Sequence, residues 1–85
     1  MRYLAIADYV LGDHEHGAPE ARLEEFLTAA GIAHEALGGG VALKTGERDY
    51  EIAFEATEEQ HKLVELYIHH TGMTDVWELV PEDEA

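Results

Sequence analysis

The side chains with the clearest capacity for chemistry in this sequence are its six histidines. A first pair, His14 and His16, flanks Glu15, and their i, i+2 spacing places both imidazoles on one side of an extended segment. Imidazole and carboxylate groups together suit zinc, copper or nickel. This pair is therefore one half of a candidate metal site.

A second group of histidines falls on a predicted helix. His61, Glu65 and His69 are spaced i, i+4, i+8 and line one stripe, with His70 beside them. No His-Glu-x-x-His motif occurs, and histidines near a helix C-terminus are also favoured by the helix dipole. A metal- or ligand-sensing site, a pH-sensitive surface and a solvated helix face all stay open. The candidate metal ligands are His14, His16, His61, His69 and His70.

Acid–base and nucleophilic catalysis find little support in the sequence. None of its carboxylates lies within the apolar run that a buried general acid requires, and Asp8, between Ala7 and Tyr9, comes closest. The chain has no serine and no cysteine, so the usual nucleophilic arrangements are missing, as are disulfides and thiolate metal sites. We predict a protein that is not an enzyme and holds no cofactor.

The triple glycine Gly38-Gly39-Gly40 is the one segment whose backbone amides could approach an anion. The phosphate-loop motif and the dinucleotide motif are both absent, and the surrounding acidic residues would repel phosphate. We interpret the three glycines as a flexible connection into a β-hairpin.

Six predicted elements position these residues. Pro19 suits the first turn of one helix, and Thr57 with Gln60 forms a capping box at the start of the other. Period-two alternation predicts the strands, most clearly after residue 48. The predicted strands are 2–11, 41–45, 48–56 and 76–80, a short extended segment covers 32–37, and the helices end at Gly31 and Gly72.

The element order β-α-β-β-α-β is that of a ferredoxin-like sandwich in the α+β class. Two helices would cover one face of a four-stranded antiparallel sheet. A hairpin packed on two helices in another order is the alternative. We predict one domain over residues 1–81, followed by an acidic, frayed tail over residues 82–85.

The net charge sets strong limits on the partners that the protein can bind. Nineteen acidic residues against five basic ones give −14 at pH 7, which disfavours direct contact with nucleic acid or anionic membrane. An RNA-recognition motif needs basic and aromatic side chains on its sheet, whereas residues 49–55 place acids outward. No apolar run approaches the ~20 residues of a membrane span, and an acid appears too early for a signal peptide. We expect a soluble, cytoplasmic protein.

Part of this charge is concentrated in one stretch of the chain. Alternating acids on the second hairpin strand precede two more at the start of the second helix, and rows of carboxylates on rigid elements imitate nucleic-acid phosphates. The predicted partner is a basic protein surface, such as that of a nucleic-acid-binding effector. The predicted contact residues are Glu47, Asp49, Glu51, Glu55, Glu58 and Glu59.

Two further alternatives concern association and solvation. A homodimer could form through an apolar surface containing Trp77, Leu79 and Tyr9, although like charges oppose it. Alternatively, the acidity could serve only the solvation of an accessory domain in a salt-adapted organism.

The C-terminal segment 72–80 resembles the corresponding segment of a family of small type II-C anti-CRISPR proteins. The matching positions are Gly72, Met73, Trp77, Glu78 and Val80. The resemblance implies a phage protein that inhibits the nuclease domain of Cas9 without being an enzyme. In that family a small polar pair before the tryptophan contacts the nuclease, and Asp75 and Val76 stand there instead. The leading hypothesis is therefore an acidic inhibitor that occludes a nucleic-acid-binding surface, with contact residues taken from the charge pattern alone.

Overall fold

The computed structural model describes residues 1–10 and 18–84. They form four strands and two α-helices, followed by a short 3-10 helix over Glu82–Glu84. The elements are β1 (Arg2–Val10), α1 (Pro19–Ala29), β2 (His34–Val41), β3 (Glu47–Glu55), α2 (Glu58–His70) and β4 (Trp77–Pro81).

The strands form one sheet in the order β2-β3-β1-β4, and all neighbouring strands are antiparallel. This order and the two helices confirm the predicted α+β, ferredoxin-like sandwich. The two central strands β1 and β3 pair over their full nine residues, from Arg2 opposite Glu55 to Val10 opposite Glu47. In the part of the chain described, neither helix is long and apolar enough to cross a membrane.

The predicted helix signals hold in the structure. Pro19 occupies the first turn of α1, where its missing N–H costs nothing. The capping box of α2 is complete. The backbone N–H of Gln60 donates to Thr57 Oγ1 at 3.2 Å, and the backbone N–H of Thr57 donates to the side-chain oxygen Oε1 of Gln60 at 2.9 Å. Gly31 and Gly72 follow the two helices with φ of 71° and 72°, a conformation that favours glycine.

The predicted position of the first hairpin strand is wrong. Strand β2 ends at Val41, so the three glycines lie inside the strand, and residues 43–45 form the turn. Gly38 has a φ of 90° at a register shift in the β2–β3 pairing, which marks a β-bulge. A Cβ on Gly39 would lie 1.8 Å from the carbonyl oxygen of Asp49. Close approach of two backbones therefore requires glycine here, and the segment is not a flexible connection.

The hydrophobic core lies between the sheet and the helices. The β1 residues Tyr3, Ala5, Ala7 and Tyr9 face the helices, as their alternating burial shows. Between the helices, the rings of Phe26 and Tyr67 stack with centroids 4.3 Å apart. The other core side chains include Leu23, Leu27, Ile32, Ile52, Phe54, Val64, Ile68, Met73, Val76 and Trp77.

This placement changes one expectation about apolar side chains. Trp77 and Tyr9 are buried in the core, so the homodimer surface of Trp77, Leu79 and Tyr9 is not available as an exposed patch. On α2, Leu63 is 50% exposed. The inward residues of α2 are Val64 and Ile68.

Candidate partner-binding surface

The helix-free face of the sheet carries a dense set of carboxylates, which we call the acidic face. Side chains alternate along each strand, so the neighbours of the buried residues point to this side. Because directly paired residues share a face, the register assigns the members from all four strands. The carboxylates of the acidic face belong to Asp8, Glu35, Glu47, Asp49, Glu51, Glu55 and Glu78.

Like charges lie directly opposite one another near one end of this face. Asp8 of β1 is paired with Asp49 of β3, an arrangement that destabilises a sheet. One favourable contact partly offsets the repulsion, because the Gly40 amide donates to Asp49 Oδ1 at 2.7 Å. Along β3, Glu47, Asp49 and Glu51 lie about 7 Å apart, and Ala53 separates them from Glu55. The face therefore presents regularly spaced and mostly uncompensated negative charge.

The middle of the acidic face is apolar. Val80, Leu4 and Ala53 lie side by side in one row across β4, β1 and β3. Ile6 follows Leu4 on the same face, flanked by Glu51 on one side and Glu78 on the other. A strip of apolar side chains framed by carboxylates suits arginine or lysine, whose methylene stems pack on apolar surface while the charged ends reach acids.

A shallow depression of about 530 Å³ lies at the end of the face near the hairpin. Its lining includes Ile6, Asp8 and Asp49, together with Gly40, Glu47 and Arg48, whose guanidinium is paired with Glu20. Two opposed carboxylates and an apolar wall make this depression suitable for a basic side chain.

The opposite end of the face is partly neutralised. The Arg2 guanidinium forms hydrogen bonds with Glu82 and, at 3.4 Å, with Glu35. These contacts raise the pKa of Arg2, first through the hydrogen bond with Glu82. The N-terminal amine also lies 3.0 Å from Glu55 Oε1. The 3-10 helix that carries Glu82 occupies residues for which a frayed tail was predicted.

The predicted contact residues are divided between two layers of the fold. Glu47, Asp49, Glu51 and Glu55 share the acidic face, whereas Glu58 and Glu59 belong to the first turn of α2 in the helical layer. Sequence reasoning missed three members of the face, Asp8, Glu35 and Glu78. Their alternation with apolar neighbours was visible in the sequence, but only the strand register places them beside the β3 acids.

One ion pair on the covered side was also missed. Arg48 Nε lies 3.0 Å from Glu20 Oε1, and the Tyr9 hydroxyl donates to Glu20 Oε2 at 2.7 Å. Burial alone would raise the pKa of Glu20, but the hydrogen bonds from Tyr9, its own backbone and Arg48 lower it overall. Burial and the Glu20 carboxylate raise the pKa of Tyr9 to about 12. These partners satisfy one another and attach the start of α1 to the sheet.

The histidines of α2 contact separate neighbouring side chains. His61 Nδ1 lies 3.0 Å from Glu65 Oε1, and the His61 ring stacks on Tyr3 at 4.2 Å. His69 lies two turns further along and contacts His70 edge-on, with ring centroids 5.9 Å apart. His14 and His16 lie outside the described residues. Within residues 1–10 and 18–84, no group of three histidine or carboxylate side chains is arranged to hold a metal ion.

The segment that resembles anti-CRISPR proteins serves mainly the packing of this fold. Gly72 follows the end of α2 with its positive φ, and Met73 and Trp77 are buried. Glu78 is the matching residue that lies exposed on the acidic face. No protein-family model matches the chain, and no curated protein or solved structure matches it significantly.

Proposed function

We propose that this protein is a non-enzymatic binding module whose acidic face occupies a basic, nucleic-acid-binding surface on a protein partner. The observation that carries this proposal is the collection of seven carboxylates around an apolar strip on one exposed face of a rigid sheet. The protein then acts by occlusion, because a partner covered by the acidic face has no free surface for nucleic acid.

Electrostatics explains how such a protein competes with nucleic acid. Complementary potentials steer encounters and raise association rates, and the effect falls steeply with ionic strength. The opposed pair Asp8 and Asp49 supplies the strongest local charge, and a basic side chain placed between them relieves their mutual repulsion. The same pair costs stability in the free protein. Binding of a basic side chain therefore relieves a repulsion that lowers the stability of the free protein.

The apolar strip favours binding over solvation as the role of this face. A surface that serves only to hold water needs no apolar centre, whereas Leu4, Ile6 and Val80 lie half-buried inside the acidic frame. Covering such a strip removes apolar area from water and adds affinity that salt does not screen. The resemblance of residues 72–80 makes an RNA-guided nuclease the first effector to test.

Paired charge variants test the proposal. The double variant Asp49→Asn/Glu51→Gln removes two charges from the acidic face, and Glu58→Gln/Glu59→Gln removes two from α2. Binding of a fluorescent arginine-rich peptide, and its release from duplex DNA, is measured at several salt concentrations. We expect the first variant to weaken binding about tenfold and the second about twofold or less. Equal losses in both variants would show that only net charge matters and would contradict a specific face.

A further inference from the structure

The two edges of the sheet differ in what they offer to another strand. On β4, the Trp77 amide already donates to the Met73 carbonyl at 3.0 Å, and Pro81 has no N–H to give. Leu79 is then the one residue of this five-residue strand with a free outward N–H. Strand β4 is therefore a poor template for pairing.

As far as residues 1–10 and 18–84 show, strand β2 offers a longer free edge. The Glu55 amide donates to the Ala33 carbonyl, and the Ala42 amide donates to the Glu47 carbonyl. Inward and outward groups alternate along an antiparallel strand, so counting from Ala33 places the backbone groups of Ala36 outward, and counting back from Ala42 places those of Val41 outward. The β-bulge between them breaks the alternation. Strand β2 has eight residues and is the last in the sheet among the described strands.

The same edge is apolar and almost uncharged. Leu37 and Val41 of β2 are 48% and 39% exposed, and Leu43 in the adjoining turn is 95% exposed. Within β2, Glu35 is the one acidic residue, and Arg2 already contacts its carboxylate. The strand contains neither the lysine nor the proline that commonly protects a sheet edge, and the β-bulge at Gly38 is the one such device that it carries. In a molecule of charge −14, this is an edge that another negative molecule can approach.

We propose that β2 pairs with β2 of a second copy of this chain, giving an antiparallel, two-fold symmetric dimer. A strand paired with itself forms an isologous contact, and the three glycines in its second half present no side chains that would clash. A two-fold axis perpendicular to the sheet keeps both acidic faces on the same side. The product is one eight-stranded sheet.

Charge repulsion does not prevent this arrangement. The acids of the two β3 strands are separated by three strand spacings, about 14 Å. This distance exceeds the screening length of about 8 Å at physiological salt. Added salt screens what repulsion remains, so it does not weaken the dimer, whereas it weakens binding of a basic partner. The dimer does not depend on the proposed function. If both hold, the dimer presents two acidic faces side by side to an extended basic groove.

Sedimentation velocity across protein concentration, at 0.15 M and 1 M salt, tests the dimer. Leu37→Lys places a charge at the β2 edge, and Leu63→Lys is the matched control on α2, where the leucine is equally exposed. Both variants reduce the net negative charge, so a general charge effect would strengthen association in each. We expect Leu37→Lys to raise the dimer dissociation constant about tenfold or more and Leu63→Lys to leave it unweakened.

A backbone variant gives a second, independent readout. Ala36→Pro removes the outward N–H without removing a bond to β3, and it too should abolish the dimer. Circular dichroism and thermal melting establish that each variant is folded. A wild-type protein that stays monomeric at high concentration in both salts would overturn the dimer. So would a dimer that dissociates as salt rises, or one that Leu63→Lys weakens as much as Leu37→Lys. In each case, binding of the basic peptide by wild-type protein would leave the proposed function intact.

Discussion

The two faces of the sheet are built by the same strands, yet they carry charge in opposite ways. On the covered face, the carboxylate of Glu20 is held by Arg48 and Tyr9. On the acidic face, Asp8 lies directly opposite Asp49, so two like charges face each other. On the covered face, the acidic side chain is therefore paired with a basic one, which stabilises the fold. On the acidic face, two carboxylates lie together, and a basic partner can bind between them.

Two buried alanines give the sharpest test of this comparison. Ala5 on the covered face is 0% exposed and Ala53 on the acidic face is 1% exposed, so burial alone predicts equal effects of substitution. We expect Ala5→Glu to destabilise the protein by about 3–5 kcal/mol or to unfold it, because the new carboxylate has no partner in the core. Ala53→Glu should cost about 1 kcal/mol or less, because its side chain extends into solvent beside Leu4.

Urea unfolding monitored by Trp77 fluorescence measures both variants. Similar losses of stability in the two would mean that the acidic face is as closed as the core, and the contrast between the two faces would then be wrong.

The partly buried ion pair of Glu20 and Arg48 should make a smaller contribution to stability, and one that depends on pH. The pKa of Glu20 is lowered in the folded protein, so its ionised form stabilises the fold. That contribution is fully present above the ordinary value of 4.5 and is lost as pH falls through the lower folded-state pKa. We expect Glu20→Gln to cost about 1 kcal/mol at pH 7, and the cost to shrink in acid.

Glu25→Gln on the same helix is the matched control, because Glu25 is exposed. Denaturation curves at several pH values between 3 and 7 compare the two variants with the wild type. A penalty for Glu20→Gln that grows as pH falls would show that the sign of this linkage is wrong.

On the acidic face, removing a charge should stabilise the protein slightly. Asp49→Asn relieves the repulsion with Asp8 and keeps an oxygen for the Gly40 amide. We expect a gain of about 0.3–0.5 kcal/mol at low salt, which disappears near 0.5 M salt because these charges are screened. Thermal melting in low and high salt measures the difference. A loss of stability at low salt would mean that the carboxylate serves the fold.

The strength of local signals decided how much of this fold could be predicted. The capping box at Thr57 and the period-two pattern of β3 act over a few residues, and they led to the correct elements and topology. The position of β2 depends on a contact between Gly39 and the backbone of Asp49, ten residues away. A run of glycines without this contact is indistinguishable from a flexible loop.

The residues of the acidic face could likewise be predicted only where the signal lies within one strand. The β3 acids were found because they alternate within one strand. Asp8, Glu35 and Glu78 come from three other strands, and only the register places them on the same face. The pair Glu20 and Arg48 is separated by 28 residues, so local sequence patterns do not reveal it. Predicting these neighbours requires the strand pairing.

Locating a bound basic partner on the molecule tests the role of the acidic face most directly. An arginine-rich peptide is titrated into isotopically labelled protein, and backbone amide chemical shifts are followed by NMR. We expect the largest changes on the acidic face, around Asp8, Asp49, Glu51 and Glu78, with little change along α1 and α2. Changes centred on the first turn of α2, or spread evenly over the acidic residues of both layers, would contradict binding through this face.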